Sequence, residues 1–234
     1  KTILINQAVT KGLNPNAPMK DSGVDFLDKI PAHWEFKKFI WIAPIITCGL
    51  ASTPNYVEPD KGIPFLSAQN VKNNQLCLDK YNFISKELHQ QLTYYRKPQK
   101  GDILLTRVGA GIGDSCVINI DLEFSIYVSL THIRINPEYC INKYIVYFFS
   151  SQYCKYLHNK GTIMAGGVGN LNVSNLKKYM IPIPPKKEQE IIINFLDKKI
   201  EKLNTLKQNA QQQIKKLTEL KQILIAEAVT GKIK

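Results

Sequence analysis

The C-terminal fifth of the chain most restricts the possible fold. Residues 186–230 contain neither glycine nor proline, and they lie between Pro184-Pro185 and Gly231. Proline at the start of a helix and glycine just beyond its end are typical helix boundaries. The segment therefore predicts one uninterrupted helix, about 65 Å long at a rise of about 1.5 Å per residue.

Apolar residues recur along this segment at alternating spacings of three and four. This pairing stripe comprises Ile193, Leu196, Ile200, Leu203, Ala210, Ile214, Leu217 and Leu224. Such a pattern is typical of a coiled coil and predicts that the stripe pairs with another helix. Lys207 and Lys221 fall on the same line, where we expect them to lower stability and set the register. The alternative is a helix that lies on its own domain. However, a globular part of this size has a radius of gyration of about 15 Å, and the helix would extend past it.

The first ten residues resemble the last turns of the long segment. Seven of them recur 220 residues later: Lys1, Ile3, Leu4, Ile5, Ala8, Val9 and Thr10 match Lys221, Ile223, Leu224, Ile225, Ala228, Val229 and Thr230. A repeat at one fixed offset predicts that residues 1–13 are the end of a preceding helix of the same kind. Accidental similarity between two helix ends is the alternative.

Between these helical segments the sequence predicts a globular domain. Residues 14–30 carry Asn-Pro, Ala-Pro and Ser-Gly turn signals and are predicted to be a linker, and residues 231–234 a short tail. Residues 31–185 combine strand patterns at 63–66, 103–109, 115–119, 127–135 and 179–183 with helical patterns at 85–92 and 143–158 and a mobile, glycine-rich segment at 161–172. The predicted fold class is α+β, a mixed α/β globular domain followed by one long coiled-coil-type α-helix.

The charge balance favours a polyanionic partner. The formal net charge is +12, and only Arg96, Arg107 and Arg134 among the 31 basic residues are arginines. Nucleic acid is the commonest polyanion that soluble proteins bind. No apolar run is long enough to cross a bilayer. The five cysteines and four histidines are scattered without metal-ligand spacing, so we expect no metal site and a reduced, cytoplasmic protein.

One glycine-rich loop, residues 109–113, is compatible with an S-adenosylmethionine-dependent DNA methyltransferase. That chemistry requires a helix directly after the glycines, with its N-terminus facing the ligand. A strand pattern follows instead at residues 115–120, and it favours a glycine-rich hairpin. The sequence lacks paired carboxylates, a nucleophile elbow and a phosphate-binding loop. We therefore expect neither catalysis nor a cofactor, and the methyltransferase is the alternative.

Polar, non-acidic residues at the predicted strand ends are the candidates for DNA contacts. They form three groups: Gln69, Asn70 and Lys72; Thr106 and Arg107; and Lys160, Thr162, Asn170, Asn172 and Lys177. Gln and Asn pair with adenine edges and Arg with guanine, whereas Lys and Thr suit phosphates. Arg107 is the leading candidate because it lies between a strand pattern and a glycine loop.

Three motifs resemble those of the DNA specificity subunits of type I restriction-modification systems. The first is Ile30-Pro31-Ala32-His33-Trp34-Glu35, the second is residues 101–109 (Gly-Asp-Ile-Leu-Leu-Thr-Arg-Val-Gly), and the third is residues 181–190 (Ile-Pro-Ile-Pro-Pro-Lys-Lys-Glu-Gln-Glu). Together with the repeated helix end, the resemblance covers nearly the whole chain.

The resemblance implies a division of labour. A target recognition domain reads one half of a bipartite double-stranded DNA sequence, while long helices pair antiparallel and dock methyltransferase (modification) subunits. In the full complex a restriction translocase subunit is a further partner. Family members usually carry two recognition domains and this chain holds one, so the partner helix belongs to a second repeat or to a homodimer. A structural coiled-coil scaffold with an incidental basic domain is the remaining alternative.

Overall fold

The computed structural model describes residues 1–165 and 168–230. The chain divides into two compact units, one comprising residues 2–193 and the other residue 1 together with the chain from Asn194 onward. The first unit is larger than the predicted domain 31–185, because the predicted helix end 1–13 and the predicted linker 14–30 belong to it. The predicted tail, residues 231–234, lies outside the described residues.

Seven α-helices lie in the described residues. They are α1 Thr2–Lys11, α2 Phe39–Ile42, α3 Lys86–Thr93, α4 Asn142–Phe149, α5 Gln152–Gly161, α6 Val173–Leu176 and α7 Lys186–Val229. With its 44 residues, α7 confirms the uninterrupted helix predicted for residues 186–230. The single helix predicted for residues 143–158 was wrong. It is two helices, because the Ser151 hydroxyl accepts a hydrogen bond from the Cys154 amide and starts α5 anew.

The strands of the described residues are short and number fifteen. They are β1 Met19–Val24, β2 Leu27–Pro31, β3 Glu35–Lys38, β4 Ile45–Cys48, β5 Gly62–Leu66, β6 Val71–Lys72, β7 Gln75–Leu76, β8 Asn82–Ser85, β9 Ile103–Thr106, β10 Ser115–Val117, β11 Ser125–Ile126, β12 Leu130–Arg134, β13 Thr162–Ala165, β14 Val168–Leu171 and β15 Met180–Ile183. The strands predicted at 63–66, 103–109, 115–119, 127–135 and 179–183 are confirmed, with β9, β10 and β12 shorter than predicted.

Two small sheets form the centre of the first unit. One is antiparallel with the order β10-β9-β12-β4, and the other has the order β11-β5-β8, in which β11 runs parallel to β5. Buried apolar residues fill the space beside them: Leu66, Val71, Leu104, Cys116, Ile118, Phe124, Ile126 and Leu130. The mixed strand directions and the surrounding helices confirm the predicted α+β class.

The predicted linker, residues 14–30, was wrong for its second half. Met19–Val24 and Leu27–Pro31 pair as an antiparallel hairpin, in which Met19 lies opposite Pro31. The Ser-Gly turn signal marks the irregular end of this hairpin, where Gly23 has a φ of 68°. The Ser-Gly pair therefore marks an irregularity within β1, the Asn-Pro and Ala-Pro signals precede the hairpin, and all of them lie inside the first unit.

Helix α1 is packed into the first unit. Ile5, Ala8 and Val9 are at most 1% exposed. The Asn6 side-chain oxygen accepts a hydrogen bond from the backbone amide of Tyr153, and the Tyr144 hydroxyl lies 3.2 Å from the carbonyl oxygen of Val9. These contacts fix the helix end against α4 and α5.

The start of α7 is held within the first unit by Gln189. This side chain is fully buried, and its Oε1 accepts a hydrogen bond from the Ile141 amide at 2.8 Å. Its amide nitrogen lies 3.0 Å from the Tyr139 carbonyl and 2.9 Å from that of Pro184. The motif at residues 181–190 therefore joins the last strand to the helix through one satisfied buried amide.

A buried carboxylate links β9 to β12. Asp102 accepts hydrogen bonds from His132 Nε2 at 2.7 Å and from Arg134 Nε at 2.9 Å. Burial acts to raise the pKa of Asp102, but the hydrogen bonds from Arg134 and His132 outweigh it and hold the pKa below its ordinary value. The glycine-aspartate of the motif at residues 101–109 is therefore an internal anchor.

A second buried cluster lies under the glycine loop. His158 Nδ1 is 3.1 Å from the Tyr179 hydroxyl, and its Nε2 is 3.4 Å from the Cys154 sulfur. A Cβ at Gly113 would come within 2.9 Å of the His158 ring, so the loop packs directly on the imidazole. Burial lowers the pKa of His158 to about 4.

We predict that His158 makes stability depend on pH between about 4 and 6.5. Its folded-state pKa lies below the unfolded value, so the unfolded chain binds the proton more readily. The contribution is complete above about pH 6.5 and is lost as the pH falls, on the order of 3 kcal/mol in total. Urea unfolding at pH 7 and 4.5 should show a larger loss in the wild type than in His158→Gln, which keeps the loss due to His89, whose pKa burial also lowers. The exposed control His33→Gln should retain it, and an equal loss in His158→Gln would contradict the assignment.

Candidate nucleic-acid interface

The turn between β11 and β12 brings the first two predicted groups together. The Ser129 carbonyl accepts a hydrogen bond from the Arg107 amide at 2.9 Å. The Ser129 hydroxyl accepts one from the Ala68 amide at 3.0 Å. The strand end at residues 67–72 and the strand end at residues 106–107 are therefore fixed side by side, although they are far apart in sequence.

The third group joins them through the hairpin formed by β13 and β14. The Leu171 amide donates to the Arg107 carbonyl at 2.8 Å, and the Gly109 amide donates to the Gly169 carbonyl at 3.2 Å. Thr162 pairs with Leu171 across the hairpin. The segment predicted to be mobile, residues 161–172, therefore contains two paired strands in its described part, and Gly166 and Gly167 lie outside the described residues.

Arg107 does not have the surface position expected of a base-reading arginine. The residue is 9% exposed. Its guanidinium donates hydrogen bonds to the Leu171 carbonyl at 3.0 Å, the Val128 carbonyl at 3.1 Å and the Asn170 side-chain oxygen at 2.7 Å. The expectation of a guanine contact is therefore revised, because the planar donor fork is already occupied by acceptors of the protein itself.

Thr106 and Asn70 are internal as well, each 1% exposed. The Asn70 amide nitrogen donates to the Cys77 and Lys80 carbonyls at 2.8 and 2.9 Å, and its oxygen accepts from the Ser67 amide. The Thr106 hydroxyl has no hydrogen-bond partner within the described part of the chain. We reassign both residues to shaping the strand ends.

The remaining candidates reach solvent. Gln69, Lys72, Lys160 and Asn170 are exposed, and Thr162, Asn172 and Lys177 are half-buried. Two of the half-buried residues already serve the local backbone: the Thr162 hydroxyl donates to the His158 carbonyl, and the Asn172 oxygen caps α6. The accessible part of the predicted site is thus basic and amide-rich, and Lys160 Nζ lies 3.9 Å from the exposed carboxylate of Asp25.

The sequence interpretation missed an exposed aromatic pair. Tyr94 and Tyr95 are 77% and 87% exposed, and their ring centroids lie 4.5 Å apart. Arg96 follows directly and donates to the Thr47 hydroxyl at 2.9 Å, beside a cleft of about 290 Å³. Two aromatics followed by two cations are a recognisable surface signal for nucleic acid, and it was readable at residues 94–97.

The methyltransferase alternative is not supported by the glycine loop. Gly109 and Gly113 have φ values of 87° and 94°, and strand β10 follows at Ser115. A helix N-terminus facing a cofactor is therefore missing at the place where that chemistry needs it. Within residues 1–165 and 168–230, no cluster of His, Cys, Asp or Glu has the arrangement of a metal site. None of the described helices is long and apolar enough to span a membrane.

The pairing stripe is mostly open. Ile193 and Leu196 are buried and Ile200 is half-buried, whereas Leu203, Ala210, Ile214, Leu217 and Leu224 are exposed. Ile193 and Leu196 are thus already removed from solvent in the single chain. The stripe that remains for a partner helix begins near Leu203.

Comparison with known proteins gives a consistent family. A model of the "Type I restriction modification DNA specificity domain" matches residues 31–216. A putative type I restriction enzyme specificity subunit of Haemophilus influenzae is 32% identical over 117 residues, which is 50% of this chain and 29% of that protein. The EcoKI specificity subunit of Escherichia coli K12 is 24% identical over 210 residues, 87% of this chain and 44% of its own length.

Solved structures show the same fold. A chain from a study of complex assembly and conformational transition of the type I R-M system has a TM-score of 0.66 at 20% identity, covering 90% of this chain and 48% of that one. The HsdS subunit from Thermoanaerobacter tengcongensis has a TM-score of 0.53 at 18% identity, covering 81% and 42%.

The chain spans less than half the length of these relatives. The family model covers the first unit from residue 31 onward and more than half of α7, since it extends to residue 216. Because that model matches well over half of the chain, this protein belongs to the type I restriction-modification DNA specificity family.

Proposed function

We propose that this chain recognises one half of a bipartite duplex DNA target and takes no part in the chemistry. The observation that carries the proposal is that three polar segments, far apart in sequence, meet around Arg107. We call Arg107 and the groups hydrogen-bonded to it the Arg107 node. Their accessible residues, Gln69, Lys72, Lys160 and Asn170, offer amides for base edges and ammonium groups for phosphates. The net charge of +12 supports the same partner by attracting the phosphate backbone.

Amides and lysines have separate roles in this proposal. Lysines acting as point charges on phosphates raise affinity for any duplex, whereas Gln69 and Asn170 discriminate between bases. The hairpin also offers an apolar contact. Ile163 is 58% exposed, and its apolar side chain suits a thymine methyl group. Selection from a pool of random duplexes by the full chain tests the proposal, and enrichment of no sequence would refute it.

We predict that Lys72→Gln and Lys160→Gln each reduce the salt dependence of DNA binding. If each ammonium group neutralises one phosphate, the slope of log K against log salt falls by about 0.9 per substitution. Affinity for specific and unrelated duplexes should fall together, because a phosphate contact carries no sequence information. Fluorescence anisotropy titrations across a salt series measure the slope. Lys216→Gln, on the exposed helix, is the control, and slopes equal to this control would remove the two lysines from the interface.

The long helix is proposed to pair with another helix of the same kind. Four leucine and isoleucine residues of the pairing stripe are between 41% and 65% exposed: Leu203, Ile214, Leu217 and Leu224. A continuous exposed apolar stripe is unfavourable in water and is covered when two helices pair. The partner is a second repeat or a second copy of this chain, and the pair sets the spacing between two recognition units.

The two matching helix ends support this arrangement. In α1, Ile5 is 1% and Val9 0% exposed, whereas their counterparts Ile225 and Val229 are 53% and 82% exposed. The same apolar side chains are thus packed at one end of the sequence and open at the other. A second recognition unit with an α1-type site would cover the open end.

A neighbouring stripe is proposed to dock the methyltransferase subunits. Leu206 and Leu220 are 54% and 55% exposed and lie next to the pairing stripe on the helix surface. The apolar face is therefore wider than a contact between two helices requires. This extra width fits one further helix from a modification subunit. In the complete assembly the restriction translocase subunit would be an additional partner.

We predict that Leu217→Lys abolishes helix pairing. Placing a charge on the stripe costs both the lost apolar burial and the desolvation of the ammonium group, so self-association should weaken at least tenfold. Analytical ultracentrifugation of the full chain measures the change. Gln212→Lys, on the opposite side of the helix, adds the same charge and should leave association unaltered. Equal association of the two variants would contradict the pairing stripe.

We predict that Leu206→Lys combined with Leu220→Lys separates the two contacts. Self-association should persist, because the pairing stripe is intact, whereas copurification with the modification subunits of the same system should fall at least tenfold. Gln212→Lys is again the matched control. Loss of self-association together with subunit binding would show that both stripes form one contact.

A further inference from the structure

Arg107 occupies a position that direct DNA contact does not explain. All three nitrogens of its guanidinium donate hydrogen bonds within the chain, to Leu171, Val128 and Asn170, at 2.7 to 3.1 Å. Its backbone is held equally firmly: the amide donates to Ser129 and the carbonyl accepts from Leu171. One residue therefore connects strand β9, the turn before β12 and the second strand of the β13–β14 hairpin.

The hairpin depends on such a connection. Strands β13 and β14 form a sheet of two strands by themselves, with four residue pairs between them. An isolated two-stranded hairpin is marginally stable in water at best. Gly169 in β14 raises the conformational entropy lost on ordering. Attachments at the base of the hairpin must therefore supply the order that its own ladder lacks.

The attachments lie close together around Arg107. Val108 and Asn170 form an isolated bridge, and the Gly109 amide donates to the Gly169 carbonyl at 3.2 Å. The guanidinium adds two bonds to the same strand, one to the Leu171 carbonyl and one to the Asn170 side chain. The hydrogen bond from the guanidinium to the Asn170 side-chain oxygen, 2.7 Å long, orients Asn170 although this residue is exposed.

We infer that Arg107 is a positioning residue for sequence discrimination: its buried guanidinium pre-orders the β13–β14 hairpin and orients Asn170, and it makes no contact with DNA itself. This inference rests on the proposed function. Specific binding requires the ordered hairpin, whereas non-specific binding requires only charge. Without the guanidinium the hairpin is not ordered in advance, and the free energy of DNA binding is reduced by the cost of ordering it. The affinity therefore falls for the selected sequence alone.

Arg107→Lys tests the inference because it keeps the charge and removes the three-way fork. Asn170→Ala is a second variant, at an exposed position: it removes one acceptor of the guanidinium together with an amide that is proposed to read a base. The probes are the duplex enriched by the wild-type chain from a random pool and an unrelated duplex of equal length. Lys216→Arg, a conservative basic substitution on the exposed long helix, is the control.

For Arg107→Lys we expect the affinity for the enriched duplex to fall about tenfold, with unrelated duplex affected less than twofold. The slope of log K against log salt should stay unchanged. In the DNA-free protein, hydrogen exchange at the amides of Gly109 and Leu171 should accelerate at least tenfold. Asn170→Ala should lose discrimination at least as strongly, because Asn170 is itself proposed to read a base, but it should accelerate exchange less; Lys216→Arg should show none of these changes.

Three results would overturn the inference. A salt slope smaller by about 0.9 in Arg107→Gln, which removes the charge, would indicate a phosphate contact. Lost discrimination with unchanged exchange in both variants would indicate a direct base contact. Equal losses for both duplexes, with faster exchange throughout the chain, would indicate a merely structural role. If the wild type enriches no duplex, the proposed function fails, while the exchange measurements still report whether Arg107 orders the hairpin.

Discussion

A buried guanidinium holds together the segments that make up the candidate interface. Arg107 joins the end of β9 to the hairpin β13–β14 and to the turn at Val128 and Ser129, and Ser129 in turn holds the segment that carries Gln69. The β13–β14 hairpin has only its own two-stranded ladder, which is marginal by itself. The positions of Gln69 and Asn170 therefore depend on the hydrogen bonds around Arg107 and Ser129.

Two other buried groups stabilise the strand and the glycine loop on either side of Arg107. Asp102 ties β9 to β12 through His132 and Arg134, and His158 supports the glycine loop at Gly113. Both clusters consist of polar side chains in a compact unit, where an unpaired polar group is costly and a paired one fixes a unique geometry. The family motif at residues 101–109 is thus explained by its internal contacts: Asp102 anchors the strand and Arg107 anchors the hairpin.

The two compact units present different chemistry. The first unit offers a basic, amide-bearing surface, and the described part of the second is a helix whose apolar side chains face solvent. In the proposed function, the former recognises DNA and the latter serves assembly. Under that proposal, helix pairing sets the spacing between recognition units with no change in the reading surface.

The sequence by itself determined the elements whose signals are local. The long helix follows from the absence of glycine and proline and from a regular apolar stripe, and the strands β5, β9 and β15 follow from short apolar runs bounded by turns. It also identified the family, because motifs are local too. Only the tertiary structure decided which of these residues are accessible. Arg107, Asn70 and Thr106 have the same polar character as Gln69 and Lys72, yet contacts with segments distant in sequence bury them. The hairpin at residues 19–31 escaped prediction for the same reason, since its turn signals are equally those of a linker until its strands pair within the unit.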